Sequence, residues 1–283
     1  MKTRFSVPIT IFLILLSVAI GICQTETAEG IKAKAGTITS IEKTYTDGVI
    51  DGFTIYLPIS YDKTSRSFPL IVFLHGGLGV GGPVDKVNEQ PLPQLLLNEK
   101  DLSNRRNQYL LDSFIVVSPH LTEGRFRDRQ FYNQEEAIRG IINDVKDNFR
   151  IMDTEIFLTG LSRGGHGTWG LGARMSDVLA AIVPICGALH GVEDISLLTE
   201  IPIFTAHNTG DNLVDYAGTQ RVVREIKSIT GEAFMKVSNL EELPGSFIDN
   251  SRIFISFERE GHDSWTDVYE SLALYEWLLS QRK

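Results

Sequence analysis

The chain has 283 residues, 42% hydrophobic and 22% charged, a balance that excludes a disordered or fibrous polymer and suffices for a sizeable core. With 36 acidic against 27 basic residues it is poorly suited to polyanionic partners, nucleic acid above all. Two cysteines in this length exclude a disulfide-stapled scaffold.

Lys2 and Arg4 precede an apolar run over 7–22 that is short for a membrane span and strongly N-terminal, the pattern of a secretory leader. Gly21 and Cys23 supply small residues for cleavage after Cys23, and Ile22 argues against lipid attachment there. The expected layout is a signal peptide over 1–23 and a secreted or periplasmic chain over 24–283 with no stable membrane anchor; a retained anchor is the alternative. Loss of Lys2 and Arg4 takes the 27 basic residues to 25, against 36 acidic, a formal charge of −11. Nucleic acid and anionic lipid surfaces would be repelled, whereas neutral polysaccharides and small esters would not. Cys186 would stand alone, so no intramolecular disulfide is expected. No His/Cys pair has zinc-ligand spacing, and neither a metal nor a cofactor is expected.

Residues 37–45 and 49–57 are rich in Thr, Ile, Val, Tyr and Phe and flank Thr46-Asp47-Gly48, which predicts an antiparallel hairpin. After Pro69 the pattern changes to short continuous apolar runs at 70–74, 114–117, 156–159, 180–185, 203–206 and 253–257, suited to strands buried on both faces. Between them, apolar residues recur every three or four positions over 134–149, 165–175, 216–229 and 265–279, which predicts helices. Alternation of this kind implies right-handed crossovers and an α/β fold: a mostly parallel central sheet, antiparallel strands at its N-terminal end, and helices on both faces. No Pro/Gly/Ser-rich linker or repeat divides the chain, so 24–283 is expected to be one domain. Function in such sheets gathers at the carboxyl ends of the strands.

The run Ile156-Phe157-Leu158-Thr159 leads into Gly160-Leu161-Ser162-Arg163-Gly164-Gly165, and a predicted helix follows. This is G-x-S-x-G between a strand and a helix. A serine on so sharp a turn needs small residues two before and two after it, or strand and helix collide, and the helix start brings amide N–H groups to developing negative charge. Ser162 is therefore the expected nucleophile; a glycine-rich turn with an idle serine is the alternative.

The stretch "FLTGLSRGGHGTWGLGAR", with "AAIVPICGALHG" beyond it, resembles the esterase and phospholipase/carboxylesterase-like branch of the α/β-hydrolase superfamily, including feruloyl- and acetyl-esterase-like secreted enzymes. The resemblance covers roughly residue 68 to the C-terminus. It implies that His75-Gly76-Gly77, ending an apolar strand, lies beside the nucleophile, with the Gly77 and Arg163 amides as oxyanion donors. His75 itself is expected to shape the loop. The "LGVGGPV" that follows departs from the charged loop of phospholipase-like relatives.

The resemblance also implies the order serine, acid, histidine along the chain, each at a strand end. In "HNTGDNLVDY" an Asp precedes a Val by three residues, which points to Asp211; Asp215 competes, but it stands where a helix N-cap is expected. His262, in "EREGHDSW", follows the final apolar run and is preferred as general base to His120 and His207, which also lie at strand ends. Arg125, Arg127 and Arg129 are read as a solvated loop, Trp265 as core or substrate wall, and Cys186 as a small buried apolar group. His166 has no assigned direction.

The implied activity is a serine carboxylic-ester hydrolase acting through an acyl-enzyme on polysaccharide-linked feruloyl or acetyl esters or on small esters. The alternatives are a phospholipase, lysophospholipase or peptidase with the same triad, and a non-catalytic binding protein on the same scaffold. No pattern in the sequence specifies an oligomeric state.

Overall fold

The computed structural model describes residues 30–46, 48–124, 129–192 and 194–283, and 31–283 form one compact unit. The expected leader over 1–23, Asp47 of the first turn, and Arg125 and Arg127 lie outside the described residues. No helix among the described residues is long and apolar enough to cross a membrane.

The chain opens with β1 (Ile38–Tyr45) and β2 (Ile50–Tyr56), an antiparallel pair closed by a turn in which Thr46 and Gly48 both take positive φ, 46° and 77°. Next come β3 (Phe68–Leu74), α1 (Pro91–Asn98), α2 (Arg105–Asp112), β4 (Ile115–Leu121), α3 (Glu135–Asn148), β5 (Ile151–Leu161) and α4 (Arg163–Arg174). The chain then runs through β6 (Ala181–Ile185), β7 (Ile203–Gly210), α5 (Tyr216–Thr230), β8 (Met235–Val237), β9 (Arg252–Glu260), α6 (Trp265–Glu270) and α7 (Leu272–Ser280). The strands form one sheet in the order β1-β2-β4-β3-β5-β6-β7-β9-β8; β2 meets both β1 and β4 antiparallel, and every pairing from β4 onward is parallel.

The continuous apolar runs arise because helices cover both faces. In β3, Leu70, Val72 and Leu74 pack with Ile138, Ile141 and Ile142 of α3 and Trp169 of α4, while Ile71 and Phe73 pack with Leu92 of α1, Leu110 of α2 and Tyr269 of α6. Alternate residues point to opposite faces, so a strand with two covered faces has no polar phase. Each fully buried aliphatic or aromatic side chain here stabilises the fold by roughly 1.5–3 kcal/mol.

The predicted C-terminal helix is two. Ser271 leaves helical geometry at φ −82°, ψ 134°, and its hydroxyl accepts a bond from the Ala273 amide, ending α6 and starting α7. The pieces α1, α2 and β8 were not anticipated.

Candidate active site

The ends of β3, β5, β7 and β9 open on one cleft of about 680 Å³. At its centre β5 breaks into α4 through Ser162, held at φ 53°, ψ −115°. A non-glycine residue in that region costs on the order of 1–3 kcal/mol and persists only where the surroundings enforce it. The enforcement is visible at the neighbouring glycines: a Cβ on Gly160 would lie 2.6 Å from the Gly164 carbonyl oxygen, and one on Gly164 would lie 1.9 Å from that of Leu74. The Ser162 amide donates to the Ile185 carbonyl at 3.0 Å and lies 3.3 Å from Cys186 Sγ, tying the turn to the end of β6.

The loop after β3 wraps the other side of the serine. His75 is fully buried; its Nδ1–H donates to the Gly76 carbonyl at 2.7 Å and its Nε2 accepts from the Leu121 amide at 3.2 Å. Burial pulls this imidazole down to about 3, so it is neutral and shapes the loop. The Gly76 amide donates to Gln90 Oε1 at 3.1 Å. Gly77, exposed at the start of a short 3-10 turn, lines the cleft together with Ser162 and Arg163. The Arg163 guanidinium reaches away to the Arg129 carbonyl, 2.5 Å from Nη1.

Asp211 follows the last residue of β7, and its side chain is sealed from solvent. Oδ1 accepts the amides of Leu213 and Val214 at 2.9 and 3.0 Å, and Oδ2 lies 2.6 Å from His262 Nδ1. Burial pushes the carboxyl up, but the Val214 amide, His262 and the Leu213 amide together hold it below the ordinary aspartate value. Asp215 instead caps α5, its Oδ1 accepting the Ala217 amide at 2.9 Å.

His262 follows Gly261, whose φ of 90° turns the chain out of β9. With Nδ1 directed at Asp211, its Nε2 is buried without a hydrogen-bond partner and lines the cleft with Ser162. A serine–histidine bond left open without substrate is common and closes when a ligand excludes water. Trp265 stands edge-on to His262, ring centres 5.3 Å apart, and is itself part of the cleft wall. His120 lies elsewhere, its Nδ1 2.6 Å from Asp51 Oδ1.

Cys186 Sγ, an Asp211 oxygen and a His262 nitrogen lie within 4.8 Å of one another, a spacing that would suit a metal ion. Burial keeps the thiol protonated far above its ordinary value, and Asp211 and His262 already share a short hydrogen bond, so the chemistry of this trio does not fit a metal centre. Cys186 is wholly buried, as expected, but at φ 40°, a strained geometry that composition does not reveal.

Two further histidines line or touch the site: His166, whose direction the sequence leaves open, and His207, which it weighs only as a rival base. His166, one turn into α4, lines the cleft, its Nδ1 accepting the Ala188 amide at 2.8 Å. His207 reaches Asp211 from β7, and no spacing in the sequence signals that contact.

No protein-family model matches the chain. A bifunctional acetylxylan esterase/xylanase of Neocallimastix patriciarum is 29% identical over 166 residues, 57% of this chain, and the chain spans 22% of that protein's length. Among solved structures, a thermostable esterase superposes with TM-score 0.64 at 23% identity, over 87% of this chain and 63% of its own. A feruloyl esterase module from Clostridium thermocellum gives 0.61 at 17% identity, over 87% and 88%. An acetyl xylan esterase from Aspergillus awamori gives 0.60 at 13% identity, over 86% and 100%. From its sheet order, its strand–serine–helix elbow and these likenesses, the chain has the α/β-hydrolase fold.

Proposed function

We propose that the chain is a serine carboxylic-ester hydrolase that works through an acyl-enzyme. The observation that carries this reading is a serine strained at φ 53° on the elbow, sharing a cleft with a buried histidine nitrogen that has no partner and whose opposite nitrogen is bonded to a sealed carboxylate. In this reading Ser162 Oγ attacks the ester carbonyl carbon as its proton passes to His262 Nε2. The carbonyl oxygen takes the electron pair and is met by the Gly77 and Arg163 amides, fixed donors that need no reorganisation as charge develops. Collapse expels the alcohol, which receives the proton from Nε2. Water then repeats the sequence to free the acid. Asp211 holds the tautomer that leaves Nε2 able to accept, and stabilises the imidazolium.

The favoured substrates are acetyl or feruloyl esters carried on neutral polysaccharides, or small esters. Supporting this are the acetylxylan and feruloyl esterase names among the similar proteins, the leader pattern at 1–23 and the acidic surface of 24–283, read as a single exported domain. Leu78 and Leu213, 84% and 74% exposed at the cleft, favour a second reading in which the acyl group is a lipid chain.

A fluorophosphonate probe should label the wild type and not Ser162→Ala, and Ser162→Ala should lower turnover of short-chain aryl esters by on the order of 10⁴ to 10⁶-fold. An unlabelled wild type would favour a non-catalytic scaffold. Release from acetylated or feruloylated glycans, compared with release from phospholipid micelles, separates the two substrate readings.

A further inference from the structure

Asp211 serves two imidazoles. Its Oδ2 lies 2.6 Å from His262 Nδ1 and 3.1 Å from His207 Nε2, while Oδ1 is taken by the Leu213 and Val214 amides. His207 is fully buried near the end of β7, and its Nε2 also lies 3.0 Å from the Val214 carbonyl oxygen. Two acceptors and no donor face that nitrogen, so it carries the hydrogen. On the other side, His207 Nδ1 lies 2.8 Å from Thr219 Oγ1 on α5, which is itself 3.0 Å from the Gly187 carbonyl. Given to Nδ1, the threonine proton completes a neutral ring; given to Gly187, it leaves Nδ1 needing a hydrogen of its own and the ring charged. Burial disfavours the charged form and lowers this imidazole from its ordinary value.

We infer that His207 is a positioning residue for the proposed triad, donating its Nε2–H to Asp211 Oδ2 so that the carboxylate is fixed in place and its pull on the His262 proton is moderated. The inference rests on the reading of Ser162, Asp211 and His262 as a triad. A carboxylate has room for about four hydrogen bonds, and here all four come from the protein, so no water is needed to complete it. Each donor draws off some of the negative charge that stabilises a protonated His262. Removing the His207 donor leaves a stronger anion against Nδ1, and His262 becomes the stronger base.

Other ionisable groups also face this cluster. Cys186 comes from the end of β6, His166 from α4 with Arg163 acting on it, Tyr216 from α5 with its ring edge-on to His207 at 5.7 Å, and Asp263 from the loop that carries His262, while Glu260 of β9 lies beside Gly210. All stay the same between variants at position 207, so a change in titration between those variants reports the lost donor.

The test is the pH profile of kcat/KM for an aryl ester. His207→Leu should move the acid limb up by about one pH unit and lower kcat about tenfold, with KM within twofold of wild type. His207→Gln, which restores an N–H donor, should bring the limb back. An unmoved limb in the leucine variant, or no restoration by glutamine, overturns the inference. Thermal unfolding checks that each variant folds, and nitrogen-15 NMR of the wild-type histidines is independent of either: His207 should be the neutral Nε2–H tautomer near pH 7, and a neutral Nδ1–H ring overturns the inference. Fluorophosphonate labelling separates the two levels. Label lost in Ser162→Ala with an unmoved limb in His207→Leu defeats the role of His207 alone, whereas label retained in Ser162→Ala defeats the triad and His207's role with it.

Discussion

Asp211 and Asp215 stand four residues apart on the chain leaving β7, and their surroundings give them different work. Asp211 is sealed and faces His262; Asp215 is exposed, and its carboxylate holds the Ala217 amide at the start of α5. Asparagine caps a helix about as well as aspartate, so Asp215→Asn should leave kcat near wild type. Asp211→Asn puts an amide where the proposed triad needs an anion and disturbs the tautomer of His262, so kcat should fall by on the order of 10³ to 10⁴-fold. Steady-state kinetics on the pair decides it, and equal damage from the two would reassign the acid. Ser162 was legible because G-x-S-x-G answers a steric demand that the sequence states outright. His207 was not, because a shared carboxylate oxygen depends on where a loop returns, and no spacing rule encodes that.

The elbow is where strand, serine and helix depend on one another. Gly164 packs against β3 so closely that a methyl group would sit 1.9 Å from the Leu74 carbonyl oxygen, closer than any non-bonded contact tolerates. Relief requires α4 to move off the sheet, taking Ser162 and the Arg163 amide with it. Gly164→Ala should therefore destabilise by about 1–3 kcal/mol or more, lower the melting temperature by several degrees and abolish ester turnover even in the folded fraction. Gly245→Ala, where a Cβ meets nothing within 4 Å, is the control and should do none of this. If Gly164→Ala melted and turned over like the control, the close approach would be wrong. The same scale shows what the sequence left unread. Pro91 and Pro93 look like loop residues, yet both fall in the first turn of α1, where a missing amide hydrogen is harmless. The start of α2 did have a signal, Asn104, whose Oδ1 accepts the Arg106 and Asn107 amides at 2.9 and 3.4 Å. The three-residue β8 is too short for any period to emerge.

Over the whole molecule, several imidazoles are held neutral by burial, and this ties folding to pH. His75 is lowered to about 3 and His166 to about 4, in both cases chiefly because a charged ring would lose its water. In the unfolded chain each takes a proton near its ordinary value of about 6.5, whereas the folded protein refuses it until much lower pH. Between those limits the unfolded state binds more protons, so acidification favours unfolding. The stabilisation is fully present above about pH 6.5 and declines on the way down, by at most about 1.4 kcal/mol per pH unit for each histidine. Asp211, also lowered, adds to the loss at more acidic pH, where the unfolded carboxyl protonates first. Glu155, whose carboxyl burial raises, works the other way by taking a proton in the folded state before the unfolded one. Three lowered histidines, His75, His166 and His207, against one raised carboxylate leave the net slope falling toward acid. Urea unfolding at pH 7.5, 6, 5 and 4.5 should give midpoints that drop steadily, and His75→Gln, though less stable at every pH, should show a slope shallower by about one proton. A flat profile between pH 6.5 and 5 would mean that these rings are charged in the folded protein, and the bond that His75 Nε2 accepts from the Leu121 amide, in the loop beside Ser162, could not exist.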